Sequence, residues 1–113
     1  MKNLRNKVQL IGHVGMTPEV TTYGEGKTRI HFSLATNDYY RNKEGEKIED
    51  TQWHNIVAWG KGAELASGLI TKGAEIAIEG KLVSRKYEDK DNVTRYITEV
   101  VMNEFLLLGK KAK

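Results

Sequence analysis

From Lys7 to Gly15 small and apolar side chains return at every second position, as Val8, Leu10, Gly12 and Val14. A period of two is the signature of a strand with one covered face. The pattern recurs in Thr28 to Asp38, with Ile30, Phe32, Leu34 and Thr36 on one face and Arg29, His31, Ser33 and Ala35 on the other. Between these runs, Met16-Thr17-Pro18 ends the first strand, and Tyr23-Gly24-Glu25-Gly26-Lys27 has the glycines of a hairpin turn. Three further strands are expected: Thr51 to Gly60, Ala74 to Arg85 with Ile76, Ile78, Gly80 and Leu82 in phase, and Thr94 to Phe105 with Tyr96, Thr98, Val100 and Met102 in phase.

Lys61 to Ile70 departs from that period. Its Leu65, Ala66, Leu69 and Ile70 fit one face of a short amphipathic helix, which Gly73 is placed to end. The order β-β-β-α-β-β predicts an all-β protein, a five-stranded Greek-key OB-fold barrel with one short helix between strands 3 and 4, closing the barrel's open end. Two polar stretches, Tyr39 to Asp50 and Lys86 to Val93, read as long loops, each carrying tyrosine beside basic residues. With no repeat or linker, residues 1–108 read as one domain and residues 109–113 as a short basic tail.

The third strand holds both tryptophans of the chain. Trp53, Asn55, Val57 and Trp59 share one face, and Gln52, His54, Ile56 and Ala58 share the other. Neither face is cleanly apolar. If the tryptophans are core, Asn55 is buried with them and Ile56 and Ala58 meet water. If they point outward, Ile56 and Ala58 supply the core and two large aromatics stand ready for a ligand. The alternation leaves both arrangements open.

Composition narrows the function classes. The 113 residues are 39% hydrophobic and 29% charged, which suits a globular domain. No segment approaches the run of about 20 apolar residues that crosses a bilayer, and the N-terminus lacks a signal-peptide core. Without cysteine there is no disulfide, thiolate site or cysteine nucleophile, which accords with a cytoplasmic protein. The formal net charge is +3. Lys81 to Arg95 carries five basic residues against three acids, and Lys2, Arg5, Lys7 and Lys110, Lys111, Lys113 cluster at the ends without any acid. Such clusters suit a polyanion, although ordinary surface scatter produces them too.

Phosphate-loop, dinucleotide, nucleophile-elbow and zinc-protease motifs are absent from the sequence, so an enzyme is not expected. His13, His31 and His54 lie on three different strands with no pair at ligand spacing. Neither a metal nor a cofactor is expected. What remains is a set of aromatics, Tyr40, Trp53, Trp59 and Tyr87, interleaved with Arg41, Lys61, Arg85 and Lys86. Unpaired bases stack on aromatic rings and their phosphates need cations, whereas a duplex hides its base faces.

The residues then become familiar. NKVQLIGHVGMTPEV from Asn6, FSLAT in the second strand, TQWHNIVAWGKGAELAS from Thr51, KGAEIAIEGKL from Lys72 and RYITEVV from Arg95 resemble the bacterial single-stranded DNA-binding protein family across about Asn6 to Asn103. The resemblance implies an OB-fold homotetramer that binds single-stranded DNA without sequence preference in replication, recombination and repair, in the cytoplasm on the nucleoid. It also implies stacking of bases on Trp53 and Trp59. Tyr40 and Tyr87 stand where many members carry tryptophan. The cations expected at phosphates are Lys7, Arg41, Lys61, Lys72, Arg85, Lys86 and Arg95. Asn55 occupies a position where members often have arginine, and His54 one that the family places near subunit contacts. Members usually continue into a flexible linker and an acidic tip that docks partner proteins. This sequence ends in Gly109-Lys-Lys-Ala-Lys113, so partners recruited through an acidic tip are not expected. Two rivals are a dimeric OB protein of the primosomal replication protein B type and an OB module whose tryptophans are core.

Overall fold

The structure is a computed structural model that describes residues 4–109; Lys2, Lys110, Lys111 and Lys113 lie outside the described residues. After a 3-10 turn at Leu4–Asn6 come β1 (Val8–Val14), β2 (Glu19–Tyr23), β3 (Lys27–Arg41), β4 (Lys47–Trp59), α1 (Lys61–Leu69), β5 (Glu75–Glu88) and β6 (Thr94–Gly109). The strands run in the order β1-β5-β6-β4-β3-β2, and β1 also pairs with β3 through His13 and Val14. Because β1 bonds to both β5 and β3, the sheet closes into a barrel. The one parallel seam joins Ile56 and Val57 of β4 to Val100 and Val101 of β6.

β1 ends ahead of Met16-Thr17-Pro18, as the sequence predicts, but the chain then returns to the sheet, which the sequence does not predict. The chain bends there and resumes as β2, antiparallel to β3 from Glu19 opposite His31 to Tyr23 opposite Lys27. Proline lacks the N–H that an uninterrupted ladder needs, so the strand breaks there and the chain turns a corner into β2. Counted as one bent strand, β1 and β2 make this the expected five-stranded OB barrel.

Within the barrel the alternating positions form the core, whereas Leu82 and Tyr96, expected in phase with them, are exposed. Ile30, Phe32, Leu34, Ile56, Ala58, Ile76, Ile78, Val100 and Met102 are all buried inside. Burying each large member contributes about 1.5–3 kcal/mol relative to leaving it in water. The helix is preceded by Gly60 at its N-cap, whose φ of 71° is one that a residue with a Cβ adopts only under strain. Its buried face differs from the expected one. Ala63, Ala66 and Ile70 enter the core, while Leu65 and Leu69 stay exposed. Small side chains let the helix axis approach the barrel's end, and the leucines one residue off that stripe are turned away.

The two polar stretches expected as loops are partly strand: residues 39–41 and 47–50 of the first, and residues 86–88 of the second. β3 and β4 pair from Arg29 opposite Trp59 all the way out to Arg41 opposite Lys47. β5 and β6 pair likewise to Glu88 opposite Thr94. Each arm ends in the same device. Asn42 Oδ1 accepts the backbone N–H groups of Glu44 and Glu46 at 3.0 and 2.9 Å, and Asp89 Oδ1 accepts those of Asp91 and Val93 at 2.9 and 3.0 Å. Gly45 and Asn92, three residues further on in each case, take positive φ. An Asx side chain that replaces backbone partners is a standard way to close a tight turn.

Candidate nucleic-acid interface

The tryptophans point outward. Trp53 is 62% exposed and Trp59 54%, while Ile56 and Ala58 on the opposite phase of β4 are at 0% and 1%. Val57 shares the tryptophan phase and is nevertheless buried, because β4 is flanked there by His31 of β3 and Val101 of β6. Six residues of strand put the two rings about 20 Å apart along the sheet.

Each ring is held differently. Trp53 lies across Gly15, where a Cβ would come within 2.3 Å of the ring's Cζ3. Only a glycine at the bend after β1 leaves room for it. Trp59 is stacked by Tyr23 from the end of β2, with centroids 5.8 Å apart and planes 29° from parallel. The Arg29 guanidinium, opposite Trp59 on β3, sits 5.6 Å from the ring centroid. Arg29 also reaches the buried carboxylate of Glu99, which Arg85 of β5 holds from the other side through two hydrogen bonds.

The other expected residues are distributed over the surface. Tyr40 and Tyr87 lie on strands, not in loops, and are 57% and 45% exposed. Tyr87 shares its phase with Arg85 on β5, and across the ladder with Ile97 and Glu99 on β6. Tyr40 alternates in phase with Leu34 and Thr36, whereas its neighbour Tyr39 alternates with Ala35, the residue opposite Trp53. Tyr39 is 56% exposed, and Lys47 Nζ stands 4.4 Å from its ring centroid. The sequence reading missed Tyr23, Arg29 and Tyr39 as site residues. Tyr23 sits in a segment that reads as a turn, and Arg29 reads as an ordinary polar strand position. For Tyr39, its odd-numbered place in the phase of β3 was an available signal.

Among the cations, Arg41 donates to the Gly45 carbonyl at 2.8 Å, and Arg95 donates to Asp89 Oδ2 at 2.8 Å. That bond, with the Val93 N–H, holds the Asp89 carboxyl below its ordinary range. Lys7 lies 3.7 Å from Glu79, on the β1–β5 seam. Lys61 opens the helix directly after Trp59 and Gly60, Lys72 lies in the turn before β5, and Lys86 follows Arg85. All three are exposed and, among the described residues, have no carboxylate partner within 4 Å. His54 is half-buried, with Nε2 3.0 Å from Thr36 Oγ1. No group of three or more His, Cys, Asp or Glu side chains among the described residues is placed to hold a metal.

Residues 5–108 match the model of the single-strand binding protein family. The chain belongs to that family. It is 41% identical over 107 residues to single-stranded DNA-binding protein 1 of Chlorobaculum tepidum, covering 94% of this chain and 66% of that protein. It is 40% identical over 104 residues to the single-stranded DNA-binding protein of Neisseria meningitidis, covering 92% and 60%. The chain thus spans slightly less than two thirds of the length of these relatives. Among solved structures, the Plasmodium falciparum SSB in complex with ssDNA superposes with a TM-score of 0.82 at 32% identity, over 96% of this chain and 98% of that one.

Proposed function

We propose that this protein coats single-stranded DNA without reading its sequence, serving replication, recombination and repair, and that it does no covalent chemistry. The observation that carries this reading is the pair of tryptophans, both more than half exposed on one face of β4. Large exposed aromatics are a liability in water unless a flat partner covers them. Bases stack on Trp53 and Trp59 and, along the arms, on Tyr40 and Tyr87. Each stacked base contributes about 1–3 kcal/mol by the usual measure of alanine substitution. Lys61, Lys72 and Lys86 meet phosphates, and Lys7, Arg41, Arg85 and Arg95, each already held by an oxygen of the protein, add to the cationic path. Membership of the family and the superposition on a complex with single-stranded DNA support the same ligand.

The assembly is a homotetramer in this reading. Ile11 on β1 is exposed, as are Leu106, Leu107 and Leu108 near the end of β6, although all are large and apolar. β1 leaves the Val8–Gly12 stretch paired on one side only, to β5. An apolar face beside an open strand edge calls for another protein surface. Light scattering tests this: the mass of four chains is expected, and that of two chains favours the primosomal replication protein B type. The site of action is the nucleoid in the cytoplasm.

The binding test is quenching of tryptophan emission by oligo-dT at low and high salt, with a duplex of equal length as control. Strong quenching by the single strand alone is the expected result. An unchanged signal with oligo-dT would overturn the stacking role of both tryptophans.

A further inference from the structure

Glu99 is the one buried charged or polar side chain among the described residues, at 5% exposure, and it shares its phase on β6 with Val101, which pairs with Val57 in the tryptophan phase of β4. Arg85 approaches it with Nε 3.0 Å from Oε1 and Nη2 3.3 Å from Oε2. Arg29 Nη2 is 3.6 Å from Oε2. The same Arg29 guanidinium lies over Trp59, whose other contact is the Tyr23 ring. Five side chains from β2, β3, β4, β5 and β6 thus form one chain of contacts, with a single carboxylate against two guanidiniums. The Arg85 guanidinium is pushed above its ordinary range by its hydrogen bond to Glu99, so it stays cationic throughout.

Left free, two guanidiniums at this place would grip the phosphates of any nucleic acid, paired or unpaired, since a phosphate contact carries no information about the base. Glu99 neutralises one of the two charges and turns Arg29 toward the indole. Resting on the proposed single-strand function, we propose that Glu99 is a specificity-determining residue, which commits Arg29 to fixing Trp59 and lowers the charge open to phosphate, so that binding at this face depends on unpaired bases.

The test is the salt dependence of binding to oligo-dT and to duplex of equal length by Glu99→Gln, whose side chain keeps the size and loses the charge. One additional free cation steepens the dependence of log K on log salt by about 0.7 for a single strand and about 0.9 for duplex. Duplex binding near 50 mM salt is expected to rise about tenfold. In high salt, where stacking dominates, oligo-dT binding is expected to fall about two- to fivefold, the worth of one exposed cation–π contact. The emission maximum of Trp59, read in a Trp53→Phe background, is expected to shift. A purely structural Glu99 would alter thermal stability and leave salt slope and single-strand preference as in the parent; that result overturns the proposal.

If Glu99→Gln does not fold, Arg29→Gln decides, because Glu99 then keeps Arg85. It must lower high-salt oligo-dT affinity by the same factor and shift Trp59 emission, and parental values of both overturn the inference. Failure of the parent protein to bind oligo-dT would instead overturn the single-strand function itself.

Discussion

The inner half of β3 and its outer half obey the same alternation and end in opposite conditions. Ile30, Phe32 and Leu34 are at 0% exposure, whereas Tyr39 and Tyr40, adjacent residues of opposite phase, are 56% and 57% exposed. β6 shows the same contrast in one phase: Val100 and Met102 are buried, while Tyr96 two turns of the pleat earlier is 74% exposed. The ladder continues unbroken through both halves, with β3 paired to β4 from residue 29 to residue 41. What changes is the second layer. Within the barrel an inward side chain meets the opposite wall and the helix. In the arms two strands stand alone, so both faces are wet and side-chain chemistry is released from packing. The barrel packs its rings against Gly15 and Tyr23 at its wall, whereas the arms hold theirs by exposed cross-strand contacts such as Lys47 over Tyr39.

The sharpest way to break that comparison is to remove a side chain from the barrel's interior. Phe32→Ala should cost about 3–5 kcal/mol of stability, through lost burial and the cavity left behind, measured by urea unfolding. Trp53→Ala should invert the outcome. Its ring is 62% exposed, so stability should move by only about 0.5 kcal/mol, while affinity for oligo-dT falls by about 1–3 kcal/mol. Unfolding of that variant would return the ring to a structural role.

Within the arm the expected effects are smaller, and they test whether strand phase still matters there. Tyr39→Ala and Tyr40→Ala should each leave the unfolding midpoint nearly unchanged and weaken oligo-dT binding by about 1 kcal/mol. Equal losses would mean the arm wraps in DNA on both faces, and a loss confined to Tyr39 would mean that only the tryptophan face is used. The smallest effect lies at the tip of the other arm. The Arg95 bond and the Val93 N–H lower the Asp89 carboxyl, so the unfolded chain takes up that proton first as pH falls. The contribution of Asp89 is therefore present at neutral pH and is lost below the ordinary carboxylate range, near pH 4. Asp89→Asn should lower the melting temperature slightly at pH 7 and converge on the parent below about pH 4, which flattens the acid limb in a pH series of melting temperatures.

Much of the barrel could be read from the chain because its signal is local. Phe32 and Ile56 declare themselves through neighbours two residues away, whereas helical spacing alone favoured Leu65 and Leu69 for the core and left Ala63 unmarked. The arms were hidden for a complementary reason. Residues 39–41 and 47–50 show no alternation of apolar and polar side chains, so a strand there has no periodicity to display, and only pairing with its neighbour reveals it. Asn42 with Gly45, and Asp89 with Asn92, give the turns away once the strands that lead into them are known.

By itself, the sequence determined which side chains share a face, the order of elements and the clustering of tryptophan, tyrosine and basic residues, because alternation and turn chemistry act over a few residues. Its alternation left open whether the face of Trp53 and Trp59 was core or surface, and the neighbouring tyrosines and cations with the family resemblance gave surface as the expectation. Only the tertiary structure decided that, since burial depends on a second layer that barrel closure supplies to one face of β4 and withholds from the other. The assembly of Tyr23, Arg29, Trp59, Arg85 and Glu99 was decided at the same level. These residues are scattered from position 23 to position 99, and strand pairing, not sequence proximity, brings two arginines to one carboxylate and an aromatic pair to one of those arginines.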